Sequence, residues 1–243
     1  MKISVVLITK NEAANIAQCL ESVRWADEII VLDSGSQDQT TEIAKNFTSH
    51  IYFHPFGDFA SQKNKALSYA TGDWVFCIDA DEVVTPALAE ELKKMAQGPQ
   101  KKAYSVHRET YFFRQRLRFS GTQNDYPIRF FPRTEARFYQ AVHESIQTEL
   151  PREHLQAILL HHTTRNFKQY QEKLAQYIPL EIESMTLQGR SKSFLRAVFF
   201  PCFVFMKLYF LQGGILDGRA GFIFALLSAY YTGVKHFRYW QKS

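Results

Sequence analysis

Two carboxylates stand in Asp79-Ala80-Asp81-Glu82, directly after the apolar run of residues 74–78. Side chains at i and i+2 lie on the same face of an extended segment, so the sequence predicts that Asp79 and Asp81 sit side by side. Neighbouring carboxylates repel each other unless a cation neutralises them. Oxygen sites with few protein ligands are typical of Mg²⁺ or Mn²⁺ that carries a diphosphate. The motif therefore predicts a place where a divalent metal and a phosphorylated ligand meet.

Polar residues also follow two earlier predicted strands. The apolar run 3–8 ends at Thr9 and Glu12, and the run 28–32 ends at Asp33. Ligands of open α/β sheets bind at the carboxyl ends of the strands. Three polar strand ends together therefore predict a nucleotide–metal site more specifically than Asp79-Ala80-Asp81 does alone.

The elements that carry these residues alternate between strand and helix signals, as in a parallel α/β sheet. Helices are predicted over residues 12–23, 39–45, 59–70, 86–97 and 167–188, and further strands over 50–54, 103–108, 128–131 and 158–161. We expect an α/β domain over residues 1–185, with a parallel sheet and helices.

The last part of the chain differs in composition from the rest. Residues 186–243 hold eight Lys or Arg but one acidic residue, Asp217, whereas the whole chain has a net charge of +5. Two apolar stretches, 194–211 and 215–234, contain ionisable residues that make simple membrane spanning costly. We predict helices that lie in a membrane interface; a helical pair packed against the domain is the alternative. Nucleic acid is not an expected partner, because the basic residues lie among apolar runs.

The compartment follows from the cysteines and from the amino-terminal segment. Cys19, Cys77 and Cys202 are scattered and do not form a disulfide framework, so a reducing environment is expected. The apolar run 3–8 is too short for a secretory signal peptide. We therefore expect the amino-terminal part to lie on the cytoplasmic side of a membrane.

Three segments resemble the opening of family 2 glycosyltransferases: SVVLITKNE (4–12), EIIVLDSGSQDQT (28–40), and SQKNKAL with the following GDW and DAD (61–81). The resemblance implies a GT-A fold, with a mixed, mostly parallel sheet flanked by helices. It also implies a nucleotide-sugar donor, a divalent metal and inversion at the anomeric carbon. Residues 1–100 would then form the nucleotide-sugar-binding half and 101–185 the acceptor half.

A narrower resemblance concerns residues 129–131 and 142–144 together with the basic, aromatic tail. These are similar to the lipopolysaccharide-core β-1,4-glucosyltransferase branch of the family. The resemblance implies a UDP-sugar donor, a heptose on a lipid-linked saccharide acceptor, and a location at the cytoplasmic face of a bacterial inner membrane. A polyprenyl phosphate or another cell-surface glycan is the alternative acceptor.

The family resemblance also implies roles for individual residues. It assigns the nucleotide-sugar to Thr9, Glu12, Asp33, Lys63 and Asp79, and the metal to Asp81. Glu12 could instead be a charge at a helix start, Asp33 a turn former and Lys63 a solvated lysine.

An inverting transfer needs a general base for the acceptor hydroxyl. Glu144, in the sequence Val142-His143-Glu144, is the preferred candidate, and Asp125 is its rival. Arg129 and Arg133 could meet acceptor phosphates.

Two other classes compete with the transferase interpretation. Haloacid-dehalogenase-like phosphatases also use Asp-x-Asp after a strand, but that class leaves the Asp33 cluster unexplained. A nucleotide-sugar-binding membrane module without catalysis is the non-enzymatic alternative. His161 and His162 are not expected to share a metal, because adjacent strand residues face opposite sides.

Overall fold

The computed structural model describes residues 1–99, 101–139 and 145–242. The strands are β1 (Ile3–Thr9), β2 (Glu28–Asp33), β3 (Ile51–Phe53), β4 (Trp74–Asp79), β5 (Glu82–Val84), β6 (Ala103–Phe112), β7 (Gln115–Arg116), β8 (Ile128–Pro132), β9 (Arg137–Tyr139), β10 (Ser145–Gln147) and β11 (Arg152–Thr164). The helices are α1 (Ile16–Ser22), α2 (Thr40–Ala44), α3 (Phe59–Leu67), α4 (Pro86–Ala96), α5 (Phe167–Leu187), α6 (Phe194–Met206) and α7 (Gly218–Gln241).

One large sheet has the strand order β3-β2-β1-β4-β8-β6-β11-β5, with β7 paired to β6. The pairs β3/β2, β2/β1 and β1/β4 are parallel. Strand β8 runs antiparallel to both β4 and β6, and β5 runs antiparallel to β11. The sheet is mixed, as predicted, but its parallel part is the segment from β3 to β4.

Helices cover both faces of the parallel part, which explains its continuous apolar runs. On β1, Val5 packs in one buried cluster with Ile16 of α1 and Leu88 of α4. Val6 points to the other face and packs with Ala66 of α3. A strand buried on both faces needs apolar residues at every position, and the polar residues are therefore confined to its ends.

Helix α3 begins with a reciprocal cap. The Asp58 carboxylate accepts the Ser61 backbone N–H at 2.8 Å, and the Asp58 N–H donates to the Ser61 hydroxyl at 3.2 Å. Such a capping box pairs two backbone N–H groups at the start of the helix with side-chain oxygens, and it thereby fixes where the helix begins. The position of the helix start is important because it sets the position of Lys63, one turn later. Lys63 is buried although its side chain carries a charge.

The chain divides into two compact units, which differ from the predicted boundary at residue 185. One unit comprises Met1–Arg108 and Asp125–His161, and the other comprises Glu109–Asn124 and the chain from His162 onward. Helix α5 belongs to the second unit because its Ile178 and Met185 pack against Tyr239 of α7. The division falls inside β6 and β11.

Within the second unit, α6 and α7 pack on each other. A Cβ on Gly233 of α7 would lie 3.2 Å from the Pro201 ring of α6, so glycine permits this close approach. Asp217, just before α7, accepts the N–H groups of Arg118 and Phe119 at 2.9 and 3.0 Å. The acidic residue of the apolar tail thus binds a loop of its own unit.

Gly72 precedes β4 and is packed against the start of β1. A Cβ at this position would lie 2.7 Å from the Ser4 hydroxyl and 2.9 Å from the Lys2 carbonyl oxygen. We expect Gly72→Ala to lower the free energy of unfolding by about 1–3 kcal/mol, because backbone must move to make room. Urea unfolding followed by circular dichroism measures the change.

Gly57→Ala is the matched control, since its Cβ would have an ordinary contact at 3.4 Å with the Ser61 hydroxyl. Equal stability of the two variants would contradict the close approach at Gly72.

Candidate active site

Three polar strand ends lie next to one another at the carboxyl edge of the parallel sheet. Thr9 of β1 pairs in register with Asp33 of β2, and Ile8 of β1 pairs with Asp79 of β4. Adjacent strands are about 4.8 Å apart, so the three ends span two strand spacings. The adjacency predicted from the sequence is confirmed.

Asp33 organises the loop that follows β2. Its carboxylate accepts the backbone N–H groups of Gly35 and Ser36, each at 2.8 Å. Gly35 has φ +88°, a conformation that favours glycine. The Asn11 amide oxygen accepts the Gln37 N–H at 2.8 Å and ties this loop to the end of β1. Asp33 therefore forms the turn that the sequence offered as its alternative role, at the edge where a ligand would bind.

Thr9 and Glu12 stand at the end of β1 and the start of α1. The Thr9 hydroxyl is buried, and it has no hydrogen-bond partner among residues 1–99, 101–139 and 145–242. A buried hydroxyl without a partner is costly, and a bound ligand would supply the missing bond. Glu12 accepts the Asn15 side-chain N–H at 2.6 Å, and its own N–H donates to the Thr40 hydroxyl at 2.8 Å.

Asp79 lies between two cations. Its Oδ1 is 2.9 Å from Lys63 Nζ, and its Oδ2 is 2.5 Å from an Arg129 guanidinium nitrogen. Burial disfavours the charged carboxylate, but the charges of Arg129, Lys63 and Arg108 outweigh burial and hold the pKa of Asp79 well below its ordinary value. Lys63 is accordingly a buried ion-pair partner and not the solvated lysine that the sequence left open.

Glu82 is fully buried and is held by two arginines. Its Oε1 is 2.6 Å from Arg129 and 3.1 Å from Arg108. Its Oε2 accepts the backbone N–H of Asp79 at 2.9 Å. Arg108 also donates from Nε to Asp125 at 2.8 Å. Three carboxylates and three cations thus form one cluster, which we call the ion cluster: Lys63, Asp79, Glu82, Arg108, Asp125 and Arg129.

Asp81 occupies a different environment from Asp79. Strand β4 ends at Asp79 and the chain turns at residues 80 and 81, so the expectation of two carboxylates on one extended face is wrong. Asp81 Oδ1 lies 3.6 Å from His161 Nε2, and both side chains are mostly buried. Because of the turn, Asp79 lies between cations, whereas Asp81 lies beside an imidazole.

The groups around Asp81 fit a divalent cation that needs few protein ligands. Carboxylate oxygen suits Mg²⁺ and Mn²⁺, and imidazole nitrogen suits transition metals such as Mn²⁺. In the described ranges no three His, Cys, Asp or Glu side chains are grouped to hold a metal by themselves. A metal here would therefore take its remaining ligands from a diphosphate and water, as nucleotide-bound Mg²⁺ commonly does.

A cavity of about 570 Å³ opens beside Asp79. It is lined by Lys63, Asp79, Arg108, Tyr126, Pro127, Ile128, Arg129, Phe138, Ile146 and Arg152. Phe138 lies on β9 and Ile146 on β10, the strands on either side of residues 140–144 in the sequence. Glu144 and His143 lie outside the described residues, whereas Asp125 is ion-paired to Arg108. Arg133 donates to the Gly72 carbonyl, at the opposite end of β4.

The chain matches a known protein family over more than half of its length. The model of glycosyl transferase family 2 matches residues 4–154, which include all three polar strand ends. The chain belongs to glycosyl transferase family 2. It is therefore a glycosyltransferase, and the phosphatase interpretation of Asp79-Ala80-Asp81 is excluded.

Two relatives and one solved structure show how similar this chain is to known proteins. The lipopolysaccharide core biosynthesis glycosyltransferase LpsC of Rhizobium meliloti (strain 1021) is 28% identical over 241 residues, covering 96% of this chain and 89% of that one. An uncharacterized glycosyltransferase of Rickettsia prowazekii (strain Madrid E) is 27% identical over 249 residues, covering 94% and 83%. Glucosyl-3-phosphoglycerate synthase from Mycobacterium tuberculosis, solved with Mg²⁺ and uridine diphosphate, is 25% identical with a TM-score of 0.39. That match covers 44% of this chain and 43% of that one.

Arg108 and His161 lie at this edge of the sheet, although the sequence analysis did not assign them to a site. Arg108 lies on β6 among residues that are largely buried, and a charge inside a buried strand was the available signal. His161 was set aside with His162 because the two face opposite sides. They do differ in environment: His161 lies near Asp81, and the His162 ring lies 5.1 Å from that of Tyr111.

The ion cluster makes Arg129 important for stability. We expect Arg129→Met to lower the free energy of unfolding by about 3–5 kcal/mol, because Glu82 would remain buried after losing one of its two cations. Urea unfolding measures the change. Lys93→Met is the control, since its partner Glu90 is 75% exposed and the expected loss is below about 1 kcal/mol. A loss for Arg129→Met as small as that of the control would contradict the cluster.

Proposed function

We propose that this glycosyltransferase is an inverting, metal-dependent enzyme that moves a hexose from a UDP-sugar to a heptose of the lipopolysaccharide inner core. Glucose is the hexose that the narrower resemblance favours. The observation that carries the proposal is the alignment of Thr9, Asp33 and Asp79 along one sheet edge, next to Asp81. Similarity to a lipopolysaccharide core biosynthesis glycosyltransferase over 96% of the chain supports the acceptor class.

The donor would lie across the carboxyl ends of β1, β2 and β4. Thr9, Glu12 and Asp33 would hold the uracil and ribose, and Asp79 would contact the ribose. The buried Thr9 hydroxyl, which lacks a described partner, supports a ligand at this place. Lys63 would keep Asp79 charged and lie beside the diphosphate, where a cation lowers the repulsion between phosphate and carboxylate.

Asp81 would hold the divalent metal, with His161 as a second ligand from this chain. When bound, Mg²⁺ or Mn²⁺ supplies positive charge that stabilises the leaving nucleoside diphosphate. Lys63 and Arg129 add fixed positive charge on the Asp79 side of the same edge.

The transfer forms one bond and breaks another at carbon 1 of the donor sugar. The acceptor hydroxyl oxygen attacks that carbon from the face opposite the diphosphate, and UDP leaves with the electrons of the broken carbon–oxygen bond. The hydroxyl proton passes to a carboxylate. We favour Glu144 for this role, because Asp125 is doubly tied to Arg108, through its carboxylate at 2.8 Å and its carbonyl oxygen at 2.9 Å.

The tail would hold the enzyme at the cytoplasmic face of the bacterial inner membrane, where a lipid-linked acceptor resides. Residues Phe194–Leu211 form a continuous helical stretch of 18 residues with mean hydropathy 1.8, and 6% of it is buried. This stretch presents large exposed side chains: Leu195, Phe199, Phe203, Met206 and Phe210. An exposed apolar face of this size next to basic residues supports binding in the interface of an anionic bilayer.

The catalytic proposal is tested with purified protein, a panel of UDP-hexoses, Mn²⁺ and lipopolysaccharide precursors. We expect UDP release only when metal and acceptor are both present, and a product heavier by one hexose. Asp81→Asn should lower kcat at least about 100-fold, because the charge on the leaving group loses its stabilisation. Asp73→Asn is the matched control: it lies at the start of β4 and should retain activity.

Other results would redirect the proposal in defined ways. Turnover with polyprenyl phosphate but not with core precursors would replace the acceptor. UDP-sugar binding without turnover on any acceptor would favour the non-catalytic module. Full activity of Asp81→Asn, or turnover in the presence of a metal chelator, would contradict metal dependence.

The membrane proposal is tested on α6 and not by deleting the tail, because α7 packs against α5 and deletion would expose Ile178 and Met185. We expect the double variant Phe199→Glu, Phe203→Glu to sediment at least about tenfold less with anionic vesicles, because charges enter the apolar face. UDP binding should not change. The variant Phe199→Leu, Phe203→Leu keeps the face apolar and should bind vesicles. Equal sedimentation of both variants would contradict the proposed face.

A further inference from the structure

The cavity beside Asp79 is lined by more cations than anions. Among the described residues that line it, Lys63, Arg108, Arg129 and Arg152 are cations, and Asp79 is the one anion. Three of these cations belong to the ion cluster, where Asp79, Glu82 and Asp125 balance them. Arg152 lies outside the cluster.

Arg152 has no counter-ion within the described parts of the chain. No carboxylate of residues 1–99, 101–139 or 145–242 forms an ion pair or hydrogen bond with its guanidinium, although the side chain lines the cavity. A guanidinium presents up to five N–H donors in a planar fork that matches phosphate and carboxylate oxygens. Arg152 is exposed, so these donors are open to an anion in the cavity.

The position of Arg152 separates this site from the proposed nucleotide. Thr9 and Asp33 lie on β1 and β2, on one side of β4 in the sheet order. Arg152 begins β11, which is the third strand from β4 on the other side, about 14 Å away at the usual strand spacing. An anion at Arg152 would therefore lie on the side of Asp79 opposite to Thr9 and Asp33.

The cavity is also lined by an aromatic ring, that of Tyr126. Tyr126 is 43% exposed, its ring is stacked on His107 with centroids 4.9 Å apart, and His154 meets it edge-on at 5.1 Å. The stacking holds the Tyr126 ring in a fixed orientation, and a flat apolar ring with a polar tip suits the face of a sugar.

We propose that Arg152 binds an anionic group, a phosphate or a carboxylate, carried by the acceptor saccharide, while Tyr126 supports the sugar that carries it. The inference rests on the proposed transferase function and adds a property of its acceptor. Arg152 would be a specificity-determining residue: it holds the acceptor and takes no part in moving the proton.

The test measures binding, so that it does not depend on turnover. A heptose-containing core oligosaccharide is prepared in three forms: intact, dephosphorylated and carboxyl-reduced. Each is titrated by calorimetry into wild-type protein, Arg152→Ala and Arg152→Lys, with UDP and Mn²⁺ present. We expect Arg152→Ala to weaken binding of the intact form roughly 10- to 100-fold, because a charge-assisted hydrogen bond is lost. Arg152→Lys should restore part of the affinity. The affinity for UDP should stay within about twofold.

The modified oligosaccharides identify the source of the anion. If wild-type affinity falls on dephosphorylation and Arg152→Ala no longer distinguishes the two forms, the ligand is phosphate; the same pattern with the reduced form assigns it to carboxylate. Arg24→Ala is the matched control, since Arg24 is an exposed arginine paired with Glu21, and this variant should bind all forms like wild type.

Two results would overturn the inference. Equal affinity of wild type and Arg152→Ala for the intact form would remove Arg152 from acceptor binding. A loss of UDP affinity as large as the loss of oligosaccharide affinity would assign Arg152 to the donor or to structure. Binding that depends on Arg152, but without turnover, would instead contradict the proposed transferase function alone.

Discussion

The arrangement of residues at the end of β4 depends on the buried carboxylate of Glu82. Glu82 is fully buried, and a buried charge is tolerated only when cations and hydrogen bonds replace the lost water. Arg129 of β8 and Arg108 of β6 provide the cations, and the Asp79 N–H provides a further hydrogen bond. These contacts join the end of β4 to the next two strands of the sheet. The position of Asp79, and with it the turn that carries Asp81, follows from satisfying Glu82.

The same contacts divide the site into two chemically different sides. Toward β1 and β2, the polar groups are hydroxyl, carboxylate and backbone N–H groups of the kind that recognise a nucleoside, such as Thr9 and Asp33. Toward β8, β6 and β11, the cavity wall is cationic and ends at Arg152. Asp79 stands between the two sides, paired to both Lys63 and Arg129. Such a division suits a transferase, because the enzyme must hold two substrates on opposite sides of one carbon atom.

The sequence predicted the parts of this arrangement that depend on local pattern. Apolar runs bounded by polar residues placed the strand ends at Thr9, Asp33 and Asp79, and parallel pairing then made them neighbours. The ion cluster could not be predicted, because Asp79 and Arg129 are 50 residues apart and no periodicity links them. The turn after Asp79 was missed for a related reason: the buried partners of Glu82, and not the local pattern, decide where β4 ends. The boundary between the two units differs from the predicted one at residue 185. Most of the α5 sequence is polar, so the few apolar residues that pack on α7 did not indicate this contact.

We propose that the edge formed by β1, β2 and β4 holds a nucleoside diphosphate through a metal at Asp81. Crystals grown with UDP and Mn²⁺, measured with X-rays near the manganese absorption edge, test it most directly. We expect an anomalous peak in contact with the Asp81 carboxylate, a diphosphate on that metal, and uracil beside Thr9 and Asp33. A manganese peak away from Asp81, or uracil on the β6–β11 side of β4, would contradict it.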